Sequence, residues 1–186
     1  TSTSAAVAQA GGVVLAETIA ATGLDRALSD ALGPWRKPLA THDPAKVILA
    51  GDSAGGFLAF ATAQQAPKHG LPSPAGVVGI SPLLELDNAA RTAHSTAATD
   101  VFGIAAGFPV ITERICPAGN LDELEPVSGP MDSMPPSLIV ASETESLLCD
   151  AERMQDKLHE AGRKCEVAAW PSQVHAFPAI FPGLPE

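Results

Sequence analysis

The chain has 186 residues, 46% of them hydrophobic and 17% charged, with 11 basic against 21 acidic side chains and a formal charge of −10. A sequence of this size and apolar content buries one substantial core, which excludes disorder over the whole chain. The negative charge repels phosphate backbones and anionic lipid head groups, and a chain with no tyrosine and two tryptophans has little surface for stacking bases. No nucleic-acid partner and no membrane-surface role is expected.

From Gly11 to Leu32 the chain is rich in alanine, and Leu24, Leu28 and Leu32 share one helical face, with Gly23 as a break between two helices. Gly33-Pro34 ends this start, and the stretch to Pro44 reads as a connection anchored by Trp35. Lys46 to Ala50 is then a short apolar strand, followed by glycines and a helix from Phe57 to Ala66 that stops at Pro67. Ala75 to Ile80, Ser137 to Ala141 and Cys165 to Trp170 are three further strands. Between the last two, Leu147, Ala151, Met154, Leu158 and Ala161 form one apolar stripe on a helix that Gly162 should cap. Short apolar strands separated by helices predict an α/β fold, a short and mostly parallel sheet flanked by helices. Leu83 to Pro136 is too long for a plain crossover and is broken by Gly103, Gly107, Pro109, Pro117, Gly119, Pro126, Gly129 and Pro130, so helices and loops over the edge or top of the sheet are expected there.

Cys116, Cys149 and Cys165 are odd in number and lack C-x-x-C spacing, which favours small buried apolar side chains in a reducing compartment over a disulfide or metal role. The first residues carry no basic region, and no apolar run reaches the roughly 18 residues that span a bilayer. A soluble, cytoplasmic protein is expected.

Gly51-Asp52-Ser53-Ala54-Gly55-Gly56 lies between the first of these strands and its helix and contains G-x-S-x-G. The pattern alone is weak, and its position at a strand-to-helix turn is what gives it meaning. In such a turn the glycines allow strand and helix to approach, and the serine hydroxyl stands above the carboxyl edge of the sheet. The Ala54 N–H, at the helix start, can donate to an oxyanion. A serine nucleophile requires a base. His42, His69 and His94 lie in polar or proline-flanked stretches and His159 lies within the amphipathic helix, so these four read as solvated or structural. His175 follows the last strand by five residues and emerges at the same edge as Ser53. An acid to orient it should come from the loop after the third strand, where Glu143, Glu145 and Asp150 are the candidates. The order serine, acid, histidine is that of a hydrolase elbow. Spacing does not choose among the three acids.

The elbow, Ser81-Pro82, Pro135-Pro136-Ser137-Leu138-Ile139-Val140, Glu145-Ser146-Leu147-Leu148 and Trp170-Pro171-Ser172-Gln173-Val174-His175 resemble the α/β-hydrolase fold, in particular the bacterial hormone-sensitive-lipase-like esterases. The resemblance runs from about Asp43 to Phe177. It implies Ser53 as nucleophile, His175 as base and, by alignment on the Leu-Leu pair, Glu145 as the acid. It also implies a carboxylesterase for uncharged, short-chain acyl esters that needs no metal or organic cofactor.

The sequence departs from that family at its start. The upstream His-Gly-Gly-Gly motif, whose amides form most of the family's oxyanion hole, is not found, nor are the earlier strands and cap. Residues from about Gly11 to Ile48 instead resemble the beginning of bacterial insertion-sequence transposases. The expected organisation is thus a helical segment of foreign or replaced origin over residues 1–44, then a partial hydrolase domain over 45–186. Gly11-Gly12 is more simply a flexible entry than a replacement oxyanion site. A triad served by Ala54 alone should be slow, because one lost oxyanion donor costs about 10²- to 10³-fold in turnover. The missing strands should also leave Lys46 to Ala50 with an unpaired edge while apolar on both faces. Either the N-terminal helices or, favoured slightly, a homodimer should cover it. The competing function is a weak or silent hydrolase remnant that only self-associates.

Overall fold

The computed structural model describes residue 43 and residues 46–102, 107–108 and 125–181. The chain divides into residues 1–43 and residues 44–186, and the sheet belongs to the second unit. The helices expected between Gly11 and Leu32, with His42 and Cys116, lie outside the described residues.

Four parallel strands stand side by side in chain order: β1 (Ile48–Asp52), β2 (Gly76–Ile80), β3 (Ser137–Ser142) and β4 (Cys165–Trp170). The register runs Ile48 to Gly76, Val77 to Ser137 and Ser137 to Cys165, so every strand ends at one carboxyl rim. Parallel neighbours require crossovers. These contain α1 (Ala54–Gln65) after β1, the short α2 (Ala89–Ala93) between β2 and β3, and α3 (Leu148–Glu160) after β3. After β4 comes α4 (Phe177–Ile180).

The predicted stripe on α3 is the face it buries. Leu147, Ala151, Met154 and Leu158 are all sealed from solvent, and Ala161 packs at their margin. Ala151, Met154 and Leu158 meet Phe60 and Ala63 of α1, Val77 of β2 and Ile139 and Ala141 of β3, while Leu147 packs with Leu83, Leu86 and Phe108 in a second cluster. Each fully buried Leu, Met or Phe is worth about 1.5–3 kcal/mol in removed apolar surface, so the first cluster accounts for much of the fold's driving force. Gly162 ends α3 in the left-handed region at φ 68°, as expected of its cap.

Two elements differ from the sequence reading. Helix α1 begins at Ala54, three residues before Phe57, because tertiary packing of the glycine turn overrides the weak helix propensity of Ala-Gly-Gly. Strand β1 starts at Ile48 and ends on Asp52, and its alternate residues Ile48, Ala50 and Asp52 are exposed, Ile48 at 61%, so it is not buried on both faces. Among the described residues β2 is the only strand paired with β1. The described parts of 83–136 carry α2 and single 3₁₀ turns at Ser95–Ala98 and Pro126–Ser128. A buried ion pair fastens this segment to α3: Arg91 Nη1 donates to Asp150 at 2.7 Å, and neither side chain is exposed. The Arg91 guanidinium also lies 3.8 Å from the ring centre of Phe108.

Candidate active site

The turn after β1 is set by close packing. A Cβ on Gly51 would stand 2.2 Å from the Gly55 carbonyl carbon, and one on Gly56 would stand 2.5 Å from Pro82 Cβ. With neither present, the first turn of α1 sits directly over the end of β1. Ser53, between them, takes φ 50° and ψ −117°, a conformation non-glycine residues rarely adopt and one costing on the order of 1–3 kcal/mol. Neighbouring backbone holds it there. The Ser53 N–H donates to Ile80 O at 3.0 Å, and Ser53 O accepts from Leu83 N–H at 3.0 Å. Ala54 is exposed at the first helical position, where backbone N–H groups have no helical acceptor.

The loops after β3 and β4 meet at the same rim. His175 Nδ1 donates to Glu145 Oε2 at 2.7 Å, with the carboxylate almost fully buried and the imidazole partly open. That bond fixes the proton on Nδ1 and leaves Nε2 able to accept one. The other oxygen, Oε1, accepts from the Ser142 N–H and the Ser81 hydroxyl, each at 2.7 Å. Two side chains clasp the loops together: Ser142 Oγ and Thr144 Oγ1 both donate to Gln173 O, at 2.7 and 2.8 Å. Phe102, 56% exposed, sets its ring edge-on to His175 at 6.2 Å between centres. Its segment is tied to the acid loop by Asp100, which accepts from the Ser146 N–H at 3.0 Å and from the Ser146 hydroxyl, and by Thr99 Oγ1 donating to Thr144 O.

Glu145 is therefore the acid the structure brings to His175. Asp150 is committed elsewhere, to Arg91 and to the N–H groups of Leu84 and Glu85, and Glu143 has an exposed side chain. Ser53 follows β1, two strands from the β3 loop that carries Glu145, and its N–H bonds the O of Ile80, the residue that precedes Ser81. Its hydroxyl makes no hydrogen bond to the imidazole, a contact that in such sites commonly tightens only when substrate binds. His94 pairs with Glu152, His159 bonds Cys165 O, and His69 is exposed. Sequence reasoning gave no role to Ser142, Thr144 or Asp100, because a hydroxyl or carboxylate in a loop carries no sign of the distant loop it will bond. The four described non-glycine residues with positive φ, Ser53, Ser81, Ser172 and Ala176, all lie at this rim, where strain concentrates in functional sites.

A model of the alpha/beta hydrolase fold family matches residues 16–179. The chain belongs to that family. The match begins within the stretch 1–44 that the sequence reading sets apart. Within the α/β hydrolases, the chain is 39% identical over 153 residues to the esterase LipU of Mycobacterium tuberculosis, covering 78% of this chain and 51% of LipU. Among solved structures it is similar to the hormone-sensitive-lipase homologue EstE7 from a metagenome library, with TM-score 0.71 and 29% identity over 81% of this chain and 53% of EstE7. It is likewise similar to EstE5 soaked with p-nitrophenyl butyrate, with TM-score 0.73 and 27% identity over 81% of this chain and 52% of EstE5. The chain spans about half the length of each of these relatives. No helix among the described residues is long and apolar enough to cross a membrane.

Proposed function

We propose that this chain carries the catalytic centre of a serine carboxylesterase acting on uncharged, short-chain acyl esters. The observation that carries the reading is the 2.7 Å bond between Glu145 and His175 at the rim where Ser53 sits in its strained turn. Family membership and relatives named as esterases support the reaction class. The exposed Phe102 beside the imidazole supports an apolar substrate.

In this reading Ser53 Oγ attacks the ester carbonyl carbon. Its proton passes to His175 Nε2 while the carbonyl electron pair moves onto oxygen. Glu145 stays ionised and holds the imidazolium through Nδ1–H, and the Ala54 N–H donates to the oxyanion. Collapse breaks the bond to the alcohol oxygen, which leaves with the proton from Nε2. Water, deprotonated by the same imidazole, then releases the acid and restores Ser53. We read the outer edge of β1, paired only with β2 among the described residues, as the place where a second copy covers the sheet, and residues 1–44 as an added segment.

The test is p-nitrophenyl butyrate hydrolysis by the intact chain and by Ser53→Ala. Turnover that Ser53→Ala abolishes supports the proposal, and turnover that survives the substitution rejects it.

A further inference from the structure

Ser81 stands where three loops of the rim converge. It follows β2 directly, is completely buried and holds φ 45°, a left-handed conformation that an L side chain seldom takes without a reason. Its backbone is anchored, with the N–H donating to Val140 O at 2.6 Å. The hydroxyl makes two bonds whose directions are fixed by chemistry. A carboxylate only accepts, so Oγ donates to Glu145 Oε1 at 2.7 Å, and a backbone N–H only donates, so Oγ accepts from Ala176 at 2.9 Å. Ala176 is the residue after His175 and is itself buried at φ 53°. One oxygen atom thus ties the acid on the β3 loop to the backbone beside the base on the β4 loop.

We propose that Ser81 is a positioning residue: its hydroxyl holds the Glu145 carboxylate and the His175 backbone in one frame, so that Oε2 faces Nδ1. With Oε1 pinned by Ser81 and by the Ser142 N–H, the carboxylate cannot turn about its last torsion without breaking two charge-assisted bonds, and Oε2 is left to the imidazole. Ser81 touches neither proton in transit nor substrate, so it acts through Glu145 and His175. The proposal rests on the triad reading above.

Two variants test it. Ser81→Ala removes the hydroxyl and keeps a Cβ at positive φ, whereas Ser81→Gly removes the hydroxyl and suits that backbone. Equal effects therefore belong to the hydroxyl and not to backbone strain. In ester hydrolysis both should lose about 10- to 100-fold in kcat with KM within about twofold, since a misaligned base slows chemistry more than binding. The second readout is the far-downfield proton resonance of His175 Nδ1–H, assigned by its loss in His175→Gln. It should be present in the unsubstituted protein and lost or broadened in both variants. Where turnover is measurable, the two effects must come together, and either one without the other overturns the proposal. A resonance that persists in both variants, or that is missing from the unsubstituted protein, also overturns it. If the chain hydrolyses no ester, the esterase reading falls, and the resonance alone still decides the role of Ser81.

Discussion

The elbow makes an asymmetric prediction that its motif does not. G-x-S-x-G treats its two glycines alike, yet their surroundings differ. A Cβ at Gly51 would lie 2.2 Å from both the carbon and the oxygen of the Gly55 carbonyl and 2.7 Å from the Gly56 nitrogen. Carbon contacts are comfortable at about 3.5–4.0 Å, so the first turn of α1 would have to move by more than 1 Å, backbone against backbone. A Cβ at Gly55 would meet only Asp52 Oδ1, at 3.9 Å. Ordinary overpacking costs about 1–3 kcal/mol, and a clash with no flexible side chain to yield belongs at or above the top of that range. Gly51→Ala should therefore destabilise by about 3 kcal/mol or more. Gly55→Ala, inside α1, should be neutral or stabilise by up to about 1 kcal/mol through helix propensity. Urea denaturation followed by circular dichroism measures both, and the p-nitrophenyl butyrate rate of Gly51→Ala should drop at least a hundredfold as Ser53 is displaced. Equal unfolding midpoints for the two variants would refute the steric account of the elbow.

Three other outcomes are expected. Asp150→Ala leaves the Arg91 charge buried and unpaired, so it should cost about 3–5 kcal/mol in urea denaturation, and replacing both partners by apolar residues should recover much of that; a loss below about 1 kcal/mol would contradict a buried pair. Burial pushes the Glu85 carboxyl above its ordinary value, with Arg153 opposing, so the folded protein binds this proton more tightly than the unfolded chain. Its contribution to stability is largest below the unfolded-chain value and declines as pH rises through the folded one, so Glu85→Gln should lessen the loss of stability between pH 5 and 8, and a steeper loss would reverse the sign. Burial also pushes the thiols of Cys149 and Cys165 up to about 11, leaving about one thiolate in a thousand at pH 8. Iodoacetamide at that pH should modify neither in the folded protein, and mass spectrometry of the two peptides would expose an error.

The parallel sheet was legible because β2, β3 and β4 are short, mostly apolar runs bounded by prolines, glycines or polar turns, interrupted in β4 only by Glu166, and α3 because five residues keep one helical face. The elbow could be read because glycines crowd around a serine between a strand and a helix. The acid could not be chosen from spacing, since Glu143, Glu145 and Asp150 share one turn-and-helix start and only the fold decides which faces the rim. The resemblance to known esterases selected Glu145. What sequence could not carry were pairings across the chain. Arg91 meets Asp150 from 59 positions away, and Ser81 meets Ala176 from 95. A lone arginine or serine gives no local signal of such a partner. The exposed face of β1 was not legible for a related reason, because an apolar run does not reveal whether another element will pack over that face.

Whether Ser53 is the nucleophile is decided by treating the intact chain with a fluorophosphonate and locating the adduct by peptide mass spectrometry. Ser53 should be the single phosphonylated residue, with labelling strongly slowed by His175→Ala. An unlabelled Ser53 peptide, or an adduct on another serine, would contradict it.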